Sequence, residues 1–314
     1  MKIALLFPGQ GSQFTGMCKS LVNDFPYVNE YFNEASELLG FDILKLCLNG
    51  PEEKLNLTEN AQPCILLNSY CAFLVLRQEH DIKPFILAGH SLGEISALCC
   101  SGAIAFKDAI KIVRKRGLLM QDAAGLGIGA MIAINGLSVS DVELIIAATA
   151  SKDYAVISNI NSGIQIVVSG NKEAVLNIGK EANKLGAMTI SLKVSAPFHS
   201  PMMKPAAIAF EKELNNYNYS KLNYPVISNV WSKPYRDEKE IIPLLVDQVT
   251  SPVNWLKISS YLTRMGVDLM LELPPGKTLT KLSEAKGGNI SHYVFDQFRE
   301  IFVNHLNRHP NSEP

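Results

Sequence analysis

Pro84-Phe85-Ile86-Leu87-Ala88-Gly89-His90-Ser91-Leu92-Gly93-Glu94-Ile95-Ser96-Ala97-Leu98 is the stretch on which the fold turns. Pro84 to Gly89 is a short apolar run ending at glycine and reads as a buried strand. Glu94, Ile95, Ala97 and Leu98 start a helical pattern directly after it. Between the two, Gly89-His90-Ser91-Leu92-Gly93 fits G-x-S-x-G in the strand-turn-helix setting of a nucleophile elbow. The turn is so tight that the positions flanking the serine need almost no side chain. A helix beginning there points backbone N–H groups toward the serine, which favours a developing oxyanion. The plain alternative is a glycine-rich turn with an incidental serine.

Working outward, Ile3 to Phe7 is another short apolar run, stopped by Pro8-Gly9, and reads as a second buried strand. Helical patterns are expected around residues 15–22, 26–40 and 62–80. Strand, turn and helix in repetition predict an α/β core with a mostly parallel sheet. The middle of the chain differs. Gly129 to Ile134 reads as a strand, and Ser138 to Ala150 as a helix capped by Ser138 or Ser140. Tyr154 to Ile160 and Ile164 to Ser169 read as strands joined at Asn161-Ser162-Gly163. Asn171 caps a helix to about Leu185, and Met188 to Val194 is a last strand. This β-α-β-β-α-β order is that of a ferredoxin-like unit. It predicts a small subdomain over 127–194 inserted into a large hydrolase-like one over 1–126 and 195–306, with hinges at Gly125–Gly129 and Val194–Pro197. Strands at Pro225–Val230, Val267–Leu273 and Tyr293–Phe295 and a helix at Glu240–Val249 complete the large part. Residues 307–314 read as a loose polar tail.

Composition narrows the function. The 314 residues are 47% hydrophobic, enough for a sizeable core. Twenty-nine Lys and Arg against 30 Asp and Glu give a net charge of −1, with no basic excess for coating a nucleic acid. No apolar run approaches the roughly 20 residues of a membrane helix. Met1 to Phe7 is too short for a signal peptide and lacks a cleavage site. Six cysteines without C-x-x-C or zinc-finger spacing predict reduced thiols, a cytoplasmic location and no metal.

A serine needs a base to take its proton. Of six histidines, His199 is the best placed, where a strand meets the loop Ala196-Pro197-Phe198-His199-Ser200-Pro201. It follows the serine in the chain order of α/β hydrolases. His90 lies inside the elbow, facing away from Ser91, and His305 and His309 border the tail. Asp108, Asp122, Asp141 and Asp153 lie between Ser91 and His199, but none follows a clear large-domain strand. That leaves a backbone carbonyl as an alternative orienting group.

Arg116 stands out by helical arithmetic. In residues 106–120, Phe106, Ala109, Ile110, Val113, Gly117 and Met120 share one arc, and Lys107, Lys111, Arg114 and Lys115 the opposite side. Arg116 sits between Ala109 and Ile112 at the apolar edge. It is either a structural ion pair, a snorkelling side chain, or a clamp for a substrate carboxylate. Gly9-Gln10-Gly11-Ser12-Gln13 lacks the last glycine of G-x-G-x-x-G and the Gly-Lys-Ser/Thr of a Walker loop, so a nucleotide site is not expected. Its tight turn could lend a backbone N–H to an active site.

Together these pieces resemble the malonyl-CoA:acyl carrier protein transacylase family, nearly end to end. The matching segments are Phe7-Pro8-Gly9-Gln10-Gly11-Ser12-Gln13, Gly89-His90-Ser91-Leu92-Gly93-Glu94, Arg116-Gly117 with Met120-Gln121, and Asn159 and Asn161 before Gln165. Further along they are Ser195-Ala196-Pro197-Phe198-His199-Ser200, Pro225 to Val230, Gln248 before Ser251 to Trp255, and Leu273 to Lys277. The resemblance implies a hydrolase-like core with an inserted ferredoxin-like subdomain. It implies Ser91 as nucleophile, His199 as base and Arg116, 25 residues after the serine, as the malonyl carboxylate ligand. It further implies an oxyanion hole from the backbone N–H groups of Gln10 and Leu92, and Gln248 orienting His199 through its main-chain carbonyl. Phe198 resembles malonyl-selective members, where a smaller residue would admit a branched acyl group.

The implied reaction is ping-pong, from malonyl-CoA to a phosphopantetheinylated acyl carrier protein, in fatty-acid or polyketide synthesis. It needs no permanently bound cofactor, no metal, no nucleic acid and no membrane, and a monomer is expected. The rival is an acyl hydrolase that clears stalled chains from carrier proteins. Carrier proteins of this pathway are acidic, so the Lys107, Lys111, Arg114 and Lys115 strip is a candidate docking surface. Two turns depart from the family: Pro274-Pro275-Gly276 stands for Gly-Pro-Gly, and Asn161-Ser162-Gly163 for Asn-Ser-Pro.

Overall fold

A computed structural model describes residues 1–123, 128–149, 154–192, 194, 196–284 and 290–308. Among them nine strands run in chain order as β1 (Ile3–Phe7), β2 (Ile86–Gly89), β3 (Gly129–Asn135), β4 (Ala155–Ile160) and β5 (Gln165–Asn171), then β6 (Met188–Ser191), β7 (Val226–Ile227), β8 (Leu269–Glu272) and β9 (Ser291–Val294). Five of them form a parallel sheet in the order β7-β2-β1-β8-β9. Its inner strands are covered on both faces, which is why β1, β2 and β8 are near-continuous apolar runs. Phe7 is paired with Gly89 across β1 and β2, so these two strands end level and their loops emerge side by side. That carboxyl edge is where open parallel sheets place their sites.

The other four strands form an antiparallel sheet in the order β4-β5-β3-β6. The helices Val139–Thr149 and Lys172–Lys184 cover one face. Strand alternation sends Ile132, Ile134, Ile166 and Val168 under these helices, with Val142, Ile145, Val175 and Ile178. Met131, Ala133, Asn135, Gln165 and Val167 point the other way and line a cleft against the large sheet's edge. This is the ferredoxin-like arrangement expected from the sequence, set against an α/β core. A further link ties the two parts: Ile160 N–H donates to Val253 O at 3.0 Å, and Val253 N–H to Ser158 O at 2.9 Å.

Several elements differ from the expected ones. The first helix is Lys19–Asp24 rather than 15–22, because Gly16 takes a positive φ and breaks the earlier turn. Residues 26–28 are a short 3-10 turn before the helix Asn29–Leu39. The helix expected from 62 begins at Thr58, whose N–H donates to Gln121 Oε1 at 3.2 Å. That cap comes from a distant helix, so no local signal marks it. Helices at Ile43–Asn49, Lys204–Leu214, Trp255–Arg264 and Thr278–Glu284 were not expected. The Pro225–Val230 strand shrinks to Val226–Ile227, because Ile227 bridges Pro234 and the chain turns at Ser228. The chain from Phe295 to Arg308 is a helix, so Asn307 and Arg308 close it rather than open a tail. Residues 309–314, Gly125, Leu126 and Gly127 of the first hinge, and Ser195 of the second lie outside the described residues.

Candidate active site

The elbow follows from sterics. A Cβ on Gly89 would sit 2.0 Å from Gly93 C and O, and one on Gly93 would sit 2.1 Å from Phe7 O. Only glycines let the chain double back from β2 into the helix Leu92–Cys100, close against the end of β1. Ser91 pays the conformational penalty with φ 53° and ψ −106°, which aims its side chain into the cleft. His199 also has a positive φ, 58°.

Ser91 Oγ lies 2.8 Å from His199 Nε2. His199 Nδ1 lies 2.8 Å from the Gln248 carbonyl oxygen. A carbonyl only accepts, so Nδ1 carries the proton and Nε2 is left to accept from Ser91. The orienting group is thus a backbone carbonyl, and among the described residues no aspartate bonds His199; Asp153 lies outside the described residues. Burial and the nearby Arg116 charge hold His199 down at about 3, so it is neutral near pH 7. His90 turns away and bonds Asn161 across the cleft at 3.2 Å, and burial lowers it to about 4.

Arg116 is 1% exposed. Its Nη1 donates to Gln62 Oε1 at 3.0 Å, and its Nη2 to Gln248 Oε1 at 2.8 Å and Ser91 Oγ at 3.1 Å. Its Nε is buried without an acceptor among the described residues. Such a donor is costly to leave unmet, and a ligand carboxylate would satisfy it. The helix Phe106–Asp122 reaches this depth because Gly117 abuts the Thr58–Glu79 helix: a Cβ there would lie 2.6 Å from Glu59 Cα. Burial lowers Arg116 to about 10, with the Glu94 charge opposing, so it stays cationic.

Gln10 and Leu92 line the same cleft, one from each loop. Among the described residues neither backbone N–H has a hydrogen-bond acceptor. Phe198, 8% exposed, is also on the wall. The cleft holds about 560 Å³ and is lined by the antiparallel sheet on one side and by the loops and helices at the parallel sheet's edge on the other. The geometry can activate a hydroxyl, hold an oxyanion and grip an anion beside it. The structure therefore gathers all seven sequence-derived site residues, Gln10, Ser91, Leu92, Arg116, Phe198, His199 and Gln248, around one cleft.

Three further residues escaped the sequence reading. Asn229 accepts from Ser91 N–H at 2.7 Å and donates to Gly89 O at 2.7 Å, pinning the elbow. Gln62 supports Arg116. Glu94 is a fully buried carboxylate that accepts from Tyr235 OH, Gln248 Nε2 and Asn229 N–H. The available signal for Glu94 was a lone charge in the otherwise apolar helix LGEISALCC.

The basic strip on the Phe106–Asp122 helix needs correcting. Lys107 pairs with Glu34. Arg114 is half-buried, lies over the Phe41 ring and donates to Asn60 Oδ1. Only Lys111 and Lys115 of the four are exposed with no ion-pair or hydrogen-bond partner among the described residues. Segments far away in sequence supply the partners. No described helix is long and apolar enough to cross a membrane.

The acyl transferase domain family matches residues 4–286. The malonyl CoA-acyl carrier protein transacylase of Bacillus subtilis is 40% identical over 302 residues, covering 96% of this chain and 76% of that protein. Its counterpart in Escherichia coli K12 is 41% identical, covering 90% and 92%. Among solved structures, the acyl-carrier-protein S-malonyltransferase of Bartonella henselae superposes with a TM-score of 0.92 at 37% identity, covering 98% of this chain and 99% of that one. A malonyl-transacylase in complex with its type II PKS acyl-carrier protein superposes with a TM-score of 0.91 at 39% identity, covering 94% and 96%.

Proposed function

The chain belongs to the acyl transferase domain family, and from that premise we propose that it moves a malonyl group from malonyl-CoA to the phosphopantetheine thiol of an acyl carrier protein, through an ester on Ser91. Relatives named for malonyl transfer match at about 40% identity over most of the chain and support the substrate. The observation that carries the chemistry is one oxygen, Ser91 Oγ, held between His199 Nε2 at 2.8 Å and Arg116 Nη2 at 3.1 Å.

The mechanism follows from that placement. The malonyl carboxylate docks on Arg116, which sets the thioester carbon beside Ser91 Oγ. His199 Nε2 takes the hydroxyl proton as Oγ attacks, and the Gln248 carbonyl holds the imidazolium through Nδ1–H. The oxyanion accepts from the N–H groups of Gln10 and Leu92, at the positive end of the elbow helix. Collapse expels CoA as thiol, with the proton returned from His199. The carrier thiol then gives its proton to His199 and attacks the ester carbonyl; collapse breaks the bond to Ser91 Oγ, His199 returns the proton to that oxygen, and the malonyl thioester leaves on the carrier.

The Arg116 charge is one cause of the depressed basicity of His199. A bound malonyl carboxylate offsets that charge, so the correct substrate improves its own base. An acetyl group cannot do this, which favours malonyl in the chemical step as well as in binding. Phe198 on the cleft wall leaves little room for a branch. The free, buried cysteines fit a reducing compartment, and we assign the protein to the cytoplasm.

The test is transfer from malonyl-CoA and from acetyl-CoA to a phosphopantetheinylated carrier protein, with free malonate or acetate, the products of transfer to water, measured in parallel. Malonyl transfer that outpaces both acetyl transfer and hydrolysis supports the reading. Hydrolysis as the main outcome, or equal use of the two thioesters, overturns it.

A further inference from the structure

Glu94 takes no part in the steps above, yet the nucleophile, the base and the cation are each one hydrogen bond from something it holds. Its Oε2 accepts from Asn229 N–H at 3.1 Å and from Gln248 Nε2, and its Oε1 from Tyr235 OH. Asn229 pins Ser91 N–H. The Gln248 amide donates also to Ser91 O at 3.0 Å and accepts from Arg116 Nη2 at 2.8 Å. The Gln248 carbonyl orients His199. The nucleophile, the base and the cation are therefore all indexed to one carboxylate.

The arrangement also has a charge logic. A buried guanidinium needs an opposite charge nearby. Among the described residues no carboxylate makes a direct ion pair with Arg116. The Gln248 side chain stands between Arg116 and Glu94, its oxygen facing the cation and its nitrogen facing the anion. Its dipole is oriented to couple the two. All three contacts to Glu94 are donors, so they suit a carboxylate; a protonated acid would need the Tyr235 hydroxyl to turn round and accept.

We propose that Glu94 is a positioning residue and the resident counter-charge of Arg116, acting through the Gln248 amide, and that the malonyl carboxylate competes with it for the same cation. This rests on the malonyl-transfer reading above. The competition sets a compromise. Glu94 keeps Ser91, His199 and Arg116 aligned, and in doing so weakens the pull of Arg116 on the substrate. Burial pushes its carboxyl up to about 7, against the hydrogen bonds that favour the charged form, so its charge is lost within an accessible pH range. The ionisable groups facing it are Arg116 from the Phe106–Asp122 helix and Tyr235 from the loop after β7, with His199 beyond Gln248.

The experiment is single-turnover loading of Ser91 from malonyl-CoA and acetyl-CoA, which separates substrate dissociation from the acylation rate. In Glu94→Gln the unbalanced Arg116 should bind malonyl-CoA about tenfold tighter relative to acetyl-CoA, while acylation slows for both. The component of the acid limb near 7 should also disappear from the malonyl loading profile, leaving the limb set by His199 at lower pH. An unchanged malonyl-to-acetyl affinity ratio, or an unchanged acid limb, overturns the proposal. Tyr235→Phe keeps the test open if Glu94→Gln does not fold. It removes a hydrogen bond that favours the charged Glu94, so the acid limb should move to higher pH, and no movement refutes the assignment. If the unmodified protein does not load malonyl on Ser91, the functional reading has failed instead.

Discussion

Replacing Arg116 by alanine removes the cation on which the choice of acyl group depends. The side chain is 1% exposed, so little water screens it. A carboxylate about 4 Å from a guanidinium gains about 4 kcal/mol at an effective dielectric constant of about 20. Truncating one partner of a buried charge pair costs about 2–5 kcal/mol by measurement, which brackets that figure. About 4 kcal/mol corresponds to about three orders of magnitude in kcat/KM for malonyl-CoA. An acetyl group has no carboxylate to lose and avoids this term. The substitution also removes the donors to Gln62 and Gln248, and any resulting misalignment slows both substrates alike. The informative quantity is therefore the ratio of malonyl to acetyl kcat/KM, read as transfer to a carrier protein. It should fall about a thousandfold in Arg116→Ala. A ratio that moves less than about tenfold, with the variant folded, would refute the clamp.

Other substitutions test other parts of the site. Gly93→Ala places a Cβ 2.1 Å from Phe7 O, so it should lower stability by about 1–3 kcal/mol and abolish Ser91 loading, checked by denaturant melts and a loading assay. His199 and His90 are held at about 3 and 4, so the unfolded chain binds their protons first and stability falls as pH drops below 6.5. His199→Gln removes one of these sites, so its Tm should fall less between pH 6.5 and 4 than that of the parent; an equal fall contradicts the buried neutral histidine. Phe198→Ser should raise kcat/KM for methylmalonyl-CoA relative to malonyl-CoA, and an unchanged ratio would remove Phe198 from the selectivity wall.

The sequence revealed those parts of the site that short local rules encode. The elbow was legible because a strand, two obligatory glycines and a helix start are contiguous. Arg116 was legible as an anomaly in a helical stripe, although the stripe could not separate a structural pair from a ligand clamp. The orienting role of Gln248 came only through resemblance, because a main-chain carbonyl leaves no trace in side-chain chemistry. Asn229, Gln62 and Glu94 were missed because each acts through partners tens to more than a hundred residues away. The engagement of two members of the basic strip was hidden for the same reason: Glu34, Phe41 and Asn60 reach Lys107 and Arg114 from other segments. The fold class was readable from periodicity, whereas the start of the Thr58–Glu79 helix depends on a cap supplied by Gln121.

The central claim is an acyl ester on Ser91, and intact-protein and peptide mass spectrometry after brief exposure to malonyl-CoA tests it most directly. The account predicts one added malonyl group, mapped to the peptide bearing Ser91, discharged by a phosphopantetheinylated carrier protein and absent from Ser91→Ala. Malonyl found on another residue, or transfer that persists in Ser91→Ala, would contradict it.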